Sequence, residues 1–432
     1  MNSWSRALEL ARATPESRNR YVDALRAASI LVVVYGHWLA AAPVAQAEGG
    51  MDVTHLLAVA PASHWLTWVI QVMPVFFFVG GFSNGVSWRA ARRRGTGYGP
   101  WLDGRMRRLV GPALPLVVAW TLLGVGGHLA GLHPAWATIG SQLALIPIWF
   151  LAVYLGIALL VPVGVALWER HGWGSVVGPL VLAGLLDAAF FTGTLADLAW
   201  ANYLLVWFAV HQLGLAWLDG RLAGRAPLAL AAVGAVGLAL AVGLGPYPVS
   251  MVGVPGDAVS NTTPPKLVLA LLACLQVGLL LAAEPWARKR LASERTWAAV
   301  VLVNGMIMSV FLWHMTVLVL VVGLAHLLGD PGLTATPGSG AWWALKPVWL
   351  VGWTVGLLTV VPLVVRFERA GSAGARVAPV WCQVVGALAI VAGLALVALG
   401  GIAGDGPLGT RPEVLLPILG GALLGMPRPG RA

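Results

Sequence analysis

The chain has 432 residues, of which 59% are hydrophobic and only 10% are charged, with a formal net charge of +10. Soluble domains carry charges at about a quarter of their positions, so this composition excludes an ordinary soluble protein and indicates a chain that crosses a membrane many times. The two cysteines, Cys274 and Cys382, lie far apart in predicted spans, so we expect neither a disulfide framework nor a metal site.

Apolar stretches predict the fold. About ten or eleven of them reach the roughly 17 to 25 residues that a transmembrane helix needs, which predicts an all-α, polytopic integral membrane protein with about 10-11 transmembrane helices. The stretch 412–426 is shorter and contains proline, and we interpret it as interfacial or partly buried. We expect a cytoplasmic N-terminal segment (1–23), a multi-helix transmembrane domain (24–404) and a C-terminal tail (405–432). The predicted spans begin near Ala24, Trp65, Leu109, Leu145, Gly174, Asp197, Pro227, Lys266, Ala298, Lys346 and Pro379.

The basic residues follow the predicted topology. With the N-terminus in the cytoplasm, 22 of the 27 lysines and arginines fall in cytoplasmic segments. This is the positive-inside pattern, and it explains the positive net charge without a nucleic-acid partner. We therefore expect a multi-pass protein of the cell membrane whose N-terminus is cytoplasmic.

The first predicted span carries the most informative pair of polar residues. Arg26 stands near its start, and His37 interrupts the apolar run that follows. On a helix the two side chains share one face, about 16 Å apart along the axis, which would place the imidazole near the middle of the membrane. Asp23 is spaced to pair with Arg26. Because ionisable groups inside a span are costly, a function is the first hypothesis for His37; the alternatives are a structural histidine and an arginine that anchors the helix end.

A cleavable signal peptide is the rival interpretation of this stretch. It would have a basic n-region, an apolar run and small residues at Ala45 and Ala47 that resemble a cleavage site. The long n-region and the many later spans favour a retained helix. Cleavage would remove His37.

The next two spans contain further candidates. Phe77, Gly81 and Asn84 fall on one side of the second helix, where ordinary helix packing also explains the glycine. Arg105 and Arg108 stand three residues apart at a helix entrance. The planar fork of arginine suits phosphate, so the pair is either a phosphate site or a topological anchor.

Four polar residues mark the later spans. Asp187 should face a cavity, a polar partner or the membrane interface, because an unpaired carboxylate in lipid is expensive. Asn202 and His211 are nine residues apart and so face opposite sides of one helix. For His211 we favour a hydrogen bond between helices over contact with a donor. His314 is either a second histidine of a pocket or a link between helices.

Five short motifs occur in a fixed order along the chain. The first is an arginine, ten residues and a histidine in the first membrane helix, here Arg26 and His37. Two of the motifs are altered: Gly80 replaces a serine, and Phe311 replaces a tyrosine. The remaining matches are Phe76, Phe77, Gly81 and Phe82 of FF-x-x-SGF; Arg105 and Arg108 of R-x-x-R; Trp149, Phe150 and Leu151 of WFL; and Leu312 and His314 of the last motif. In this order they resemble the acyltransferase-3 family of integral membrane O-acyltransferases.

The resemblance covers roughly residues 20–366 and implies a function. Such a protein would transfer an acetyl or other acyl group from acyl-CoA, used as a substrate and not as a tightly bound cofactor, to a hydroxyl of a carbohydrate, glycolipid or secondary metabolite. It implies that His37 is the general base or a transient acyl carrier, and that Arg26, Arg105 and Arg108 hold the CoA phosphates. Asn84 and His314 are candidates for oxyanion stabilisation, and Asp187 and His211 for a pocket. The alternatives are a transporter or exporter and a non-catalytic membrane protein of envelope assembly.

Overall fold

A computed structural model describes residues 3–46, 50–131, 133–369 and 377–426 of the chain. Ala47, the second small residue of the cleavage-site pattern, lies outside the described residues. The described part is 76% helical with almost no strands, which confirms the predicted fold class. Ten helices are long and apolar enough to cross a membrane, or up to eleven if the bent pair Tyr98–Val110 and Ala113–Leu129 is one span. The predicted number of spans is thus confirmed for the residues described.

The elements follow in chain order. The helices are α1 (Ser3–Arg12), α2 (Arg20–Ala40), α3 (Leu56–Val59), α4 (Thr67–Ile70), α5 (Met73–Arg93), α6 (Tyr98–Val110), α7 (Ala113–Leu129), α8 (Pro134–Ala144), α9 (Ile148–His171), α10 (Gly174–Phe191), α11 (Asn202–Leu218), α12 (Ala226–Gly243), α13 (Leu267–Leu291), α14 (Glu294–Asn304), α15 (Ile307–Leu327), α16 (Gly340–Arg369), α17 (Val380–Gly400) and α18 (Pro412–Gly425). Short 3₁₀ helices cover Pro61–Leu66, Ala196–Ala201 and Pro407–Gly409. Strands β1 (Ala41–Gln46) and β2 (Gly50–His55) pair with each other.

The hairpin of β1 and β2 directly after α2 was not predicted. Its first strand reads AAPVAQ, which lacks the alternating β-branched residues that indicate a strand. The backbone N–H of Ala45 also donates to the carbonyl of Leu333 at 2.9 Å. Contacts to a distant part of the chain therefore hold this segment extended, and no local sequence pattern predicts such contacts.

The chain folds as two compact units. Unit 1 consists of Met1–Gly36, His55–Arg89 and Val161–Ile307. Unit 2 consists of His37–Thr54, Ala90–Leu160 and Met308–Ala432. Helix α2 contributes its first part to unit 1 and its last turn to unit 2.

In unit 1, helices α5 and α11 approach each other backbone to backbone. A Cβ atom added at Gly81 would overlap the His211 carbonyl oxygen and would lie 3.1 Å from the Cα of Gly214. Gly214 in turn faces the backbone of α5. A Cβ atom added at Gly214 would lie 2.6 Å from the Phe82 nitrogen. Small residues allow such close approach of membrane helices, so the glycine of the second motif has a packing reason.

Replacing Gly81 by alanine should destabilise the protein, because backbone atoms cannot move aside as a flexible side chain can. Overpacking of this kind costs typically about 1–3 kcal/mol. We expect a lower unfolding temperature in detergent, measured by scanning fluorimetry. Gly156→Ala in α9 is the matched control, since nothing lies within 4 Å of a Cβ built there. Equal unfolding temperatures for the two variants would contradict this account of Gly81.

Also in unit 1, the amphipathic helix α1 packs on α14. Ala7 and Ala11 form a buried cluster with Trp297 and Ala298. The indole of Trp297 also donates to the Thr14 hydroxyl at 2.9 Å. These contacts hold the N-terminal segment against the residues that follow α13.

In unit 2, the short helix α18 packs along α17. A Cβ at Gly386 would lie 2.9 Å from the Gly425 nitrogen, and Val414 and Ile418 are buried. Helix α18 has only 14 residues. Its packing agrees with the interpretation of this stretch as partly buried.

Candidate active site

The imidazoles of His37 and His314 form a pair in unit 2. His37 lies in the last turn of α2, His314 lies in α15, and the Nδ1 of His37 is 2.9 Å from the Nε2 of His314. The rings are nearly parallel, with planes 5° apart and centroids separated by 5.2 Å. His314 is fully buried, whereas His37 is partly exposed. One ring is thus enclosed by protein, and its partner has an accessible part.

The hydrogen bonds determine where the protons of this pair lie. The Nδ1 of His314 is 2.6 Å from the carbonyl oxygen of Phe311. A carbonyl can only accept, so Nδ1 of His314 carries the proton and its Nε2 is the acceptor. The Nδ1–H of His37 therefore donates to that Nε2. In a neutral His37 the remaining lone pair is then on Nε2, which is the atom that can act as a base.

Aromatic side chains surround the buried histidine. The indole N–H of Trp38 donates to the carbonyl of His314 at 3.1 Å, and the Phe311 ring centroid lies 6.2 Å from that of His314. Phe150 of the WFL motif packs edge-on against Phe311 at 5.5 Å. This packing fixes the orientation of His314 and gives the WFL motif a role in supporting the pair.

A buried lysine holds the end of the helix that carries His37. The Nζ of Lys346 donates to the carbonyls of Trp38 at 3.3 Å and Ala41 at 2.5 Å. It also lies 4.2 Å from the centroid of the Trp342 ring. The last carbonyls of a helix lack partners within the helix, and a cation there is favourable. Lys346 thereby fixes the turn in which His37 lies.

Replacing Lys346 by methionine should lower activity more than it lowers the amount of folded protein. The change keeps most of the side-chain volume but removes a charged donor, a bond that contributes about 1.5–3 kcal/mol. Turnover per folded protein and the unfolding temperature are the two measurements. Lys266→Met is the control, because Lys266 is also buried but donates to the Pro264 carbonyl in unit 1. We expect that control to lose stability and to keep its turnover; equal losses of turnover would contradict the role given to Lys346.

Arg26 lies in unit 1, in the part of α2 near its start. Its guanidinium pairs with Asp23 at 3.0 Å and donates to the Ser83 hydroxyl at 2.8 Å. The spacing of Asp23 and Arg26 had indicated this pair. Helix α2 ends at Ala40, so His37 lies in its last turn. Its depth in the membrane stays a prediction.

Arg105 and Arg108 lie on α6 in unit 2. Arg105 is partly exposed, with its guanidinium carbon 5.4 Å from the centroid of the Trp101 ring. Arg108 is exposed. Arg107 between them forms a close pair with Asp103, with Nε 2.9 Å from Oδ2. The pair with Asp103 gives Arg107 a local structural role, and Arg105 and Arg108 remain the candidates for phosphate.

The other predicted pocket residues form contacts within unit 1. The amide of Asn84 lies 3.2 Å from the Nε2 of His211, and both side chains are buried where α5 meets α11. Asp187 accepts from Asn202 at 2.9 Å, from the Tyr247 hydroxyl at 3.0 Å and from the Leu267 N–H at 2.7 Å. The last of these bonds caps the start of α13. Burial and the Asp187 carboxylate raise the pKa of Tyr247.

Sequence reasoning did not find three parts of this arrangement. It named Lys346 only as the start of a predicted span, and it assigned no role to Trp38 or to the carbonyl of Phe311. A lysine inside an apolar stretch is itself a signal, because such a charge is costly in a membrane unless it has a partner. A backbone carbonyl carries no sequence signal at all.

Comparison with known proteins places this arrangement in a family. A search of curated proteins found no match, and a search of solved structures found none either. A family model for an acyltransferase domain matches residues 19–367, nearly the whole chain and including both histidines of the pair. The protein therefore belongs to the acyltransferase-3 family and is a multi-pass membrane acyltransferase.

Proposed function

We propose that the protein transfers an acyl group from acyl-CoA to a hydroxyl group, with the Nε2 of His37 as the general base. The observation that carries this proposal is the chain of hydrogen bonds from Phe311 through His314 to His37, because it leaves the lone pair of His37 on its Nε2. A neutral imidazole has a proton affinity suited to accepting a hydroxyl proton near neutral pH. The family supplies the reaction class.

The reaction proceeds in two steps in this proposal. The acceptor oxygen attacks the thioester carbon while its proton passes to the Nε2 of His37, and a tetrahedral oxyanion forms. The intermediate then collapses: the carbon–sulfur bond breaks, and the thiolate takes the proton from His37 to leave as CoA thiol. Atoms and charge balance without another reactant. His314 orients the ring, since its Nδ1–H is bound to Phe311 and its Nε2 accepts from His37.

The phosphates of the donor are assigned to arginines. Arg26 lies on the same helix as His37, and Arg105 and Arg108 are accessible on α6. Guanidinium groups bind phosphate through paired N–H donors. If the N-terminus is cytoplasmic, as the basic residues indicate, these arginines are on the side where CoA is available.

The acceptor is proposed only as a class: a hydroxyl of a carbohydrate, a glycolipid or a secondary metabolite. The partly exposed His37 must be reached by this group, and the last turn of α2 is where the two substrates would meet. We place the protein in the cell membrane with its N-terminus in the cytoplasm.

The proposal is tested by comparing cells that make the protein with cells that do not. Lipids, glycans and secreted metabolites are analysed by mass spectrometry after feeding ¹³C-labelled acyl precursor. We expect an O-acyl mass increment, labelled and removable by mild base, only in cells that make the protein. Purified membranes should then release free CoA from acyl-CoA when the unmodified form of that compound, with its free hydroxyl, is added. A mass increment without consumption of acyl-CoA would contradict the assignment of acyl-CoA as the donor. Movement of an unmodified compound across the membrane of vesicles that contain the protein would indicate a transporter.

A further inference from the structure

A second group of arginines surrounds a cavity in unit 1, apart from the arginines of the sequence motifs. The cavity has a volume of about 260 Å³. It lies where the segment before α2 meets the end of α13. Its lining consists of Glu16, Arg18, Arg20, Arg288, Leu291 and Ala292.

Each guanidinium at this cavity is held in place by some of its N–H donors. The Nε of Arg18 binds Asp23 at 2.6 Å. Arg288 binds Glu284 through Nε at 2.8 Å and through Nη2 at 2.6 Å, and its Nη2 also donates to Asn19 at 3.3 Å. Arg20 donates one Nη to the carbonyl of Leu291 at 3.1 Å. A guanidinium has five N–H donors, so each group keeps further donors for a ligand. The three cations are thus oriented in advance, which lowers the cost of binding an anion.

The lining chemistry suits a doubly charged phosphate. Three guanidiniums and the carboxylate of Glu16 line the cavity, and two of these guanidiniums are ion-paired with Asp23 and Glu284 behind the lining. A phosphate monoester carries about −1.5 to −2 charges at pH 7 and offers three acceptor oxygens. A singly charged phosphodiester or carboxylate would use fewer of the available donors. Arginine forks also match phosphate oxygens in pairs.

The cavity is connected to the signature arginine by one carboxylate. Asp23 binds Arg18 through Oδ2 and Arg26 through Oδ1, at 2.6 and 3.0 Å. Its side chain is only 8% exposed, so both cations are anchored to a buried group. An anion in the cavity would therefore act on the same hydrogen-bonded network that positions Arg26.

We propose that this cavity binds a phosphate monoester. Two sources have this chemistry: the 3′-phosphate of a CoA donor, in which case the inference rests on the proposed function, and the headgroup of phosphatidic acid. The carboxylate of Glu16 repels the phosphate, so the affinity is lower than it would be without this residue. The site differs from Arg105 and Arg108, which belong to unit 2.

The test uses the purified full-length protein and measures two affinities. CoA is compared with 3′-dephospho-CoA by calorimetry in detergent, and phosphatidic acid with phosphatidylcholine by native mass spectrometry. Arg18→Gln and Arg288→Gln should each lower the affinity for the ligand that uses the cavity about ten- to hundredfold, the usual effect of losing a charged hydrogen bond. Glu16→Gln should tighten it severalfold. Arg225→Gln removes the same charge at an exposed position of unit 1 and should change nothing.

The outcomes separate the two sources. If 3′-dephospho-CoA binds the wild type as weakly as CoA binds Arg288→Gln, the phosphate belongs to the donor. If phosphatidic acid alone depends on Arg18 and Arg288, the phosphate belongs to a lipid. If neither ligand responds, or if Arg225→Gln weakens binding equally, the proposal is overturned.

Failure of the proposed function would look different. If the wild type binds phosphatidic acid through the cavity but does not bind CoA, the proposed phosphate site stands and the assignment of CoA as the donor is wrong. If the protein is active but the cavity variants change neither its affinity for CoA nor its affinity for lipid, the proposed function stands and the proposed phosphate site is wrong. Arg288→Lys guards against misfolding, because it keeps the charge but loses the fork and should bind with intermediate affinity.

Discussion

His37→Ala should reduce acyl transfer about 10²–10⁴-fold, because the variant lacks the general base that accepts the acceptor proton. The loss should fall on the turnover number. The bound donor should be retained, since the proposed phosphate contacts are to arginines. The measurements are CoA release with a thiol reagent and the affinity for CoA, both at equal amounts of folded protein.

His326→Ala is the matched control for this variant. His326 lies on the same helix as His314 and pairs with Asp330 at 2.6 Å, outside the His37–His314 pair. We expect it to keep wild-type turnover. If His37→Ala retains more than a tenth of the wild-type rate, His37 is structural and the mechanism is wrong. A transient acyl-histidine, the other role implied for His37, would appear as an acyl mass on the wild-type protein when donor is added without acceptor.

His314→Phe should lower turnover about 10- to 100-fold, by analogy with the loss of a group that orients a metal-bound histidine. Phenylalanine fills the buried site but cannot accept the Nδ1–H of His37. That ring then loses its fixed tautomer and orientation. Turnover and the unfolding temperature are measured together, because the unpaired Nδ1–H of His37 should also lower the stability, by about 1–3 kcal/mol.

His314→Gln distinguishes orientation from packing. Its side-chain oxygen can accept from His37, so it should recover part of the activity that His314→Phe loses. If His314 served only to pack the helices, the order would be reversed: phenylalanine would be tolerated and glutamine, with an amide in an apolar site, would be worse. A glutamine variant less active than the phenylalanine variant would therefore contradict the relay.

The sequence was informative where the causes are local. Apolar length predicted the spans, and the three-residue spacing of Asp23 and Arg26 predicted their pair, because neighbours on one helix turn are close whatever the fold. The pairing of His37 with His314 could not be predicted, since 277 residues separate them and only the packing of α2 and α15 brings them together. The motif order indicated that both residues matter, but not that they touch.

The same limit applies to the other polar residues. Asp187 was predicted to need a partner or a cavity, and its partners prove to be in α11, at the start of α13 and at Tyr247. His211 was expected to bond between helices, and Asn84 is the residue it meets. Energy rules predict that a buried polar group has partners, whereas their identity depends on the tertiary structure.

The hydrogen-bonded order behind His37 ends at the carbonyl of Phe311, and this has a consequence for energetics. A carboxylate in that place could share or accept a proton, whereas a peptide carbonyl cannot. In the proposed mechanism the proton from the acceptor therefore stays with the imidazoles until the thiolate removes it. Each acyl transfer is then proton-neutral overall, because the proton that leaves the acceptor hydroxyl ends on the CoA thiol. Acyl transfer of this kind needs no proton donor or acceptor beyond the two substrates and the histidine pair.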